Sequence, residues 1–207
     1  MRRIILFFAF LFFALPLMAN EGVDFVDVGE LDNSVVLDIR YATTGNFTGK
    51  IIYPVARCLL RRDAALRLLR VEQKVKKQGY RLVVFDAYRP ITIQKRLWEM
   101  MPDERYVDNP SKGSPHNRGG TVDVSLADLD GNHLPMPSLY EEHSIKASRD
   151  YAEASGEALK NRALLEEAMR AEGFEAFRGE WWRFDAPGWQ DYPLSDFPLR
   201  KSGGCDD

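Results

Sequence analysis

The stretch TVDVSLAD, Thr121 to Asp128, constrains the fold more than any other part of the chain. It alternates with period two, so Val122, Val124 and Leu126 fall on one face and Thr121, Asp123 and Ser125 on the other. Successive side chains of a strand point to opposite faces, and the pattern reads as a β-strand with one apolar side. An acidic residue, Asp123, therefore stands in the middle of a strand's polar face. The segment just before it is loop-like, with Pro102, Pro110, Pro115 and a Gly119-Gly120 pair that lets the backbone turn sharply.

Helices and strands alternate around this segment without a regular repeat. VVLDIRYAT reads as a strand and TTGNFTGK as a loop. RRDAALRLLRVEQKVKKQGY reads as a helix, with Ala65, Leu66, Leu69 and Val75 near helical spacing and Gly79 as its stop. RLVVFDAY is a β-rich run ended by Arg89-Pro90, and ITIQKRLWEMM is a second helix. After Asp128 comes a long polar segment to Ser155, of the kind that in a compact domain is usually functional. GEALKNRALLEEAMRAEGF is a third helix ending at Gly173, and EWWRFD is a short aromatic strand. The absence of βαβ repetition places the chain in the α+β class. Its 207 residues favour one domain, expected over residues 20–207.

The N-terminus differs from the rest. Met1-Arg2-Arg3 is basic, and Ile4 to Ala19 is almost wholly apolar. This is the pattern of a secretory signal, expected over residues 1–19, and the run is short for a membrane span. The chain is expected to be exported, with the periplasm as destination and no stable span after processing. Export permits disulfides, but Cys205 lies in a polar tail, and two unpaired thiols at Cys58 and Cys205 are the plainer expectation. The charges nearly balance, 28 Lys and Arg against 31 Asp and Glu, so there is no electrostatic footprint for nucleic acid.

Three stretches carry residues suited to chemistry. In SPHNRGGTVDVSL, His116 and Asp123 are seven positions apart. Zinc takes imidazole nitrogen and carboxylate oxygen, and this pair supplies two such donors; taken alone, a surface hydrogen bond explains it as well. In FDAYRP, Arg89 follows a buried-looking strand and is fixed by Pro90. It is suited to hold a carboxylate or an oxyanion, and equally to pair with Asp86. In GEWWRFD, Glu180 is suited to act as general base for a metal-bound water, with Trp181 and Trp182 as core or pocket walls. An aromatic core strand accounts for the same residues.

Taken together, Tyr88-Arg89-Pro90, Ser114-Pro115-His116 through Asp123, and Glu180-Trp181-Trp182-Arg183 resemble the blocks of the VanX-like D-alanyl-D-alanine dipeptidases, a zinc peptidase family. Order and spacing match, from about residue 23 to 199. The resemblance implies an α+β fold whose small antiparallel sheet, flanked by helices, carries the site. It implies one zinc ion with His116 and Asp123 as ligands, Glu180 as general base, Arg89 at the oxyanion, and Ser114 and Tyr88 toward a substrate such as D-alanyl-D-alanine or a related wall peptide. The family's third ligand is the His that ends Glu-x-x-His, and here that position is Arg183, which cannot ligate zinc. His133, His143 and Asp185 are candidate replacements. Three readings follow: a zinc dipeptidase weakened at Arg183, a metal-free peptide-binding protein on the same scaffold, and a D,D-carboxypeptidase acting on longer wall peptides. On a regular strand Glu180 and Arg183 have opposite parity, so both reach one site only if the strand bends or ends there.

Overall fold

The computed structural model describes residues 25–201; the signal expected at residues 1–19 and Cys205 lie outside them. In chain order the elements are β1 (Phe25–Asp27), α1 (Val28–Leu31), β2 (Val36–Leu37), β3 (Leu59–Arg61), α2 (Arg62–Lys76), β4 (Tyr80–Asp86), α3 (Ile91–Met100), α4 (Pro115–Arg118), β5 (Thr121–Asp128), α5 (Gly156–Arg170), β6 (Glu175–Ala176) and β7 (Arg183–Asp185). The main sheet has the order β2-β4-β5-β7-β6, and β1 and β3 form a separate two-stranded ribbon. The α+β expectation holds. The sheet is antiparallel throughout except at its edge, where β2 runs parallel to β4.

One face of the sheet is a dry apolar layer. Leu82 opposes Leu126, Val84 opposes Val124 and Val122 opposes Phe184, and all six are fully buried. The helix α2 packs on β4, and α5 packs on α2, β5 and β6. The buried stripe of α2 runs through Ala64, Ala65, Leu68, Val71 and Val75, while Leu66 is exposed. The helical expectation was right but its inward face is set by Leu68 and Val71. Gly79, at φ +86, ends the element in a conformation that side chains rarely adopt.

The other face carries the site, and β5 is buried on both sides. The polar side of Thr121, Asp123 and Ser125 is covered because the 128–155 segment folds over it: the Tyr140 hydroxyl donates to Asp123, and the Trp181 N–H reaches the Ala147 carbonyl.

Three local differences from the sequence reading matter. VVLDIRYAT is a strand only at Val36–Leu37 and then coils into a short 3-10 turn at Arg40–Ala42. Asn46 stabilises that turn by donating to the carbonyls of Arg40, Thr43 and Lys50, which competes with strand pairing. EWWRFD is a strand only from Arg183, because Trp181-Trp182 is a turn. The β4–β5 register shifts between Val84 and Asp86, so that Asp86 opposes Asp123. The irregularity re-aims Asp86 onto the site face, as bulges do.

Among the described residues no helix is long and apolar enough to cross a membrane. Cys58 is fully buried, and burial pushes its thiol well above the usual range.

Candidate metal centre and its cleft

Three adjacent strands bring the charged residues of the site into one row. Asp86 of β4 opposes Asp123 of β5, and Asp123 opposes Arg183 of β7. Directly opposed residues of antiparallel strands share a face, with Cβ atoms about 4.5–5.5 Å apart. His116 reaches the row from α4. Ser114 caps that helix by accepting from the His116 N–H, Asn117 completes the capping box, and Gly119 ends it at φ 70. A Cβ on Gly119 would lie 2.4 Å from the Phe25 ring, so the turn requires glycine. The Arg89 N–H donates to the His116 carbonyl at 3.1 Å, and the Asn117 side-chain amide donates to the Arg89 carbonyl at 2.8 Å. The turn carrying His116 is thereby fastened to the end of β4.

His116 Nδ1 lies 2.7 Å from the Ala87 carbonyl, which can only accept, so Nδ1 carries the proton and the neutral ring keeps its lone pair on Nε2. Nε2 is 3.6 Å from Asp123 Oδ1, too far for a hydrogen bond. Asp123 Oδ2 accepts from the Tyr140 hydroxyl at 2.9 Å, while Oδ1 is buried without a hydrogen-bond partner. A buried anionic oxygen and an imidazole nitrogen thus face each other across a gap, and both are donor types that zinc accepts. Burial alone would raise Asp123, but His116 and then Arg183 and Arg89 hold it below the usual carboxylate range. Burial opposes a charge on His116, yet neighbouring Asp123 outweighs it and raises the imidazole.

Among the described residues a free third donor is missing. Asp86 lies close enough to complete a cluster with His116 and Asp123, but its oxygens are already engaged. Oδ2 accepts from Arg89 Nη2 at 2.6 Å, and Oδ1 accepts from the Tyr53 hydroxyl at 2.7 Å and the Ala87 N–H at 2.9 Å. Asp86 also approaches His116 on the Nδ1 side, at 3.8 Å, where the ring already serves Ala87. Asp86 is an anchor for Arg89. Arg183 stands opposite Asp123, and its guanidinium has no lone pair to give. The pair His116 and Asp123 fits zinc; position 183 contributes a cation instead of a ligand.

The turn at Trp181-Trp182 resolves the parity conflict, because Glu180 and Arg183 both address the cleft, with Oε2 and Nη1 4.0 Å apart. Burial, and secondarily Asp123, raises Glu180 to about 7 although Arg183 pulls the other way. Arg183 is held charged despite burial by Glu180, Asp185, Asp108 and Asp123. Trp182 is a cleft wall, whereas Trp181 is core, its indole N–H donating to Ser138 Oγ at 2.9 Å. Arg89 is paired with Asp86, as one of its sequence readings had it, and it also lines the cleft.

Other expected residues fall elsewhere. Ser114 Oγ donates to Asp108 Oδ2 at 2.6 Å, and the residue is fully buried beneath the site. Tyr88 does not line the cleft: its ring packs 4.2 Å from Phe25 and its hydroxyl donates to the Phe197 carbonyl. His133 sits by Asp38, 3.4 Å away, outside the cleft. His143 is at the cleft rim, stacked 4.1 Å from Tyr106. Asp185 accepts from Thr121 Oγ1 and lies 3.6 Å from Arg183 Nε. None of these three joins His116 and Asp123 in a ligand cluster among the described residues.

Comparison with known proteins decides the family. The profile of the D-Ala-D-Ala dipeptidases, peptidase family M15, matches residues 21–198. The chain belongs to the D-Ala-D-Ala dipeptidase family. It is 35% identical over 175 residues to the D-alanyl-D-alanine dipeptidase of Escherichia coli (strain K12), covering 84% of this chain and 91% of that one. It is 33% identical over 205 residues to the D-alanyl-D-alanine dipeptidase of Enterococcus faecium, covering 86% and 98%.

In this dipeptidase-family chain, the cleft residues that sequence reasoning missed come from loops. Tyr140 and Glu141 lie in the long polar segment, whose length and position after Asp123 were the signal. Glu141 accepts from the Tyr41 hydroxyl and from the Phe47 N–H at 3.0 Å, and it holds a left-handed φ of 58. Asp108 comes from the Pro-rich loop, where nothing in the local pattern singled it out. Burial raises Asp108, but Arg183 and then Ser114 bring it below its usual range.

Proposed function

We propose that this chain hydrolyses D-alanyl-D-alanine with one zinc ion held by His116 and Asp123, and that Arg183 makes the hold weak and turnover slow. The observation that carries the reading is the facing pair of His116 Nε2 and the unpartnered, buried Asp123 Oδ1. Membership of the dipeptidase family and the names of the relatives support the substrate. Zinc, when bound, supplies a Lewis acid and lowers the pKa of its water.

The chain's own groups do the rest. His116 is oriented by the Ala87 carbonyl, and Tyr140 holds Asp123 Oδ2 so that Oδ1 points into the gap. Glu180, raised to about 7, is matched to accept a proton on its carboxylate and to pass it to the leaving amine. Arg89 has three N–H groups engaged by Tyr53, Gln94 and Asp86, which leaves two of its five to face the substrate oxygen. The cleft encloses about 70 Å³, lined by Arg89, His116, Asp123, Glu180 and Arg183.

The basic start and apolar run support export to the periplasm with removal of residues 1–19. N-terminal sequencing of mature protein checks this, and a mature chain beginning at Met1 overturns it.

The functional test is metal content and D-alanine release from D-alanyl-D-alanine. Less than one zinc per chain after dialysis is expected, with hydrolysis that depends on added zinc. Absence of hydrolysis at any zinc concentration overturns the reading.

A further inference from the structure

Arg183 is the cleft residue whose charge the dipeptidase reading leaves unused. Its root is rigid. The Arg183 N–H donates to the Glu180 carbonyl, and its own carbonyl accepts from the Phe177 N–H and from Arg149 Nη2 at 2.8 Å. Arg149 is itself held by Glu166 at 3.0 Å and lies over the Phe184 ring. The head rests on the Phe177 ring, 4.6 Å from its centroid.

The donors at the end of this rigid arm are not engaged. Its nearest carboxylates are Asp185 at 3.6 Å, Asp108 at 3.8 Å and Glu180 at 4.0 Å, all beyond hydrogen-bond distance. Nε is buried without a hydrogen-bond partner, and among the described residues no N–H of this guanidinium makes a hydrogen bond. A buried donor left unmade is costly, typically about 1–3 kcal/mol. The acids fix the charge in place without satisfying its directional bonding. A guanidinium fork held in this way is preorganised to grip an oxygen pair.

The cleft's other charges say what kind of molecule carries that oxygen. Arg89 stands on the opposite wall with two N–H groups unengaged, while Arg105 and the acids Glu141, Glu104 and Asp108 line the same space. A dianion would meet the acids and a cation would meet the guanidinium groups. A short zwitterion, with an ammonium at one end and a carboxylate at the other, satisfies both.

We propose that Arg183 makes this cleft a metal-independent receptor for a short zwitterionic peptide, donating its guanidinium N–H groups to the peptide's carboxylate across from Asp123. The inference rests on reading the cleft as a dipeptide site, but not on zinc or on turnover.

The test is calorimetric titration of D-alanyl-D-alanine into the full mature protein with chelator present and, separately, with zinc. Saturable binding in chelator is expected. Amidating the peptide's C-terminus should weaken it by about 10- to 100-fold, the range for hydrogen bonds to a charged group. Arg183→Met, which keeps the apolar stem over Phe177, should weaken it by the same factor. Arg183→Lys, which keeps the charge without the fork, should restore only part of it. Thermal melts of both variants verify that they fold. Binding seen only with zinc overturns this inference and leaves the dipeptidase reading standing. Equal binding by wild type and Arg183→Met in chelator also overturns it. No binding under either condition overturns both.

Discussion

The two walls of the cleft are built on opposite terms. On the β4 and α4 wall the side chains are anchored by hydrogen bonds: Arg89 bonds to Asp86, Gln94 and Tyr53, and His116 bonds to Ala87, which leaves two Arg89 N–H groups and His116 Nε2 open to the cleft. On the β7 wall the nearest contacts of Arg183 lie between 3.6 and 4.0 Å, and both Arg183 Nε and the facing Asp123 Oδ1 lack hydrogen-bond partners. Buried polar groups are nearly always hydrogen-bonded, so the first wall is a finished piece of structure and the second is one shaped for something else. Mutations on the first wall should therefore be felt as lost folding stability. Mutations on the second should be felt in what the cleft binds.

The largest expected effect tests the finished wall. Arg89→Ala removes three hydrogen bonds and leaves Asp86 as a buried carboxylate without its counter-charge. Breaking such a pair costs about 3–5 kcal/mol, which at roughly 2–4 °C per kcal/mol in a chain of this size lowers the melting temperature by about 10 °C. Differential scanning calorimetry measures this directly. A midpoint within a degree or two of wild type, with activity lost, would show that Arg89 serves the substrate alone.

The next effect tests the unfinished wall. Arg183→His places an imidazole opposite Asp123 in the β5–β7 register and removes a positive charge from the ligand pair. Zinc affinity should rise by at least about 10–100-fold, since even changes in outer-shell partners have that size. Stability without metal should fall, because Asp108, Asp123 and Glu180 lose the cation that favours their charged forms. Competition with a zinc-binding dye reads the affinity. An unchanged affinity would mean that the third ligand comes from elsewhere in the chain.

The difference between the walls also marks what was legible in the sequence. The β5 alternation and the helix stops at Gly79 and Gly173 were readable because they rest on local periodicity, whereas the blocks around Arg89, His116 and Glu180 were ambiguous one by one and stood out only through their joint resemblance to the dipeptidase family. The bulge that turns Asp86 toward Asp123 was not, since a register shift depends on two strands distant in sequence. Nor was the Trp181-Trp182 turn: the aromatic run looks like a strand, and only the docking of Trp181 on Ala147 and Ser138 breaks it. Tyr88 was misplaced because a strand-end aromatic carries no mark of which side it will take, and Phe25 and Phe197 hold it on the far side. The lining from Tyr140 and Asp108 came from long loops, where contact is decided by tertiary closure and not by pattern.

A smaller effect probes the hinge between the two walls. Tyr140→Phe removes the only hydrogen bond to Asp123 Oδ2 among the described residues and leaves the carboxylate less oriented. Zinc affinity should fall by about tenfold, the low end for an outer-shell partner, and stability by about 1 kcal/mol. The same dye competition and a urea titration separate the two. A loss of stability without any loss of zinc affinity would make Tyr140 a roof residue and nothing more.

The last effect is a pH dependence centred on Glu180 of the β7 wall, read in chelator so that metal plays no part. Glu180 has a folded pKa of about 7, above the roughly 4.3 expected when unfolded. The folded state therefore holds this proton more tightly, and the resulting stability is complete below about 4.3 and is lost as pH rises through about 7. Glu180→Gln is neutral at every pH and escapes that loss. Its melting temperature should match wild type near pH 4, pull ahead as pH passes 7, and hold a constant lead above pH 8. A variant that instead melts below wild type at pH 8 would mean that ionised Glu180 stabilises the fold by pairing with Arg183. In that case the guanidinium is satisfied within the protein, and the β7 wall is as finished as its neighbour.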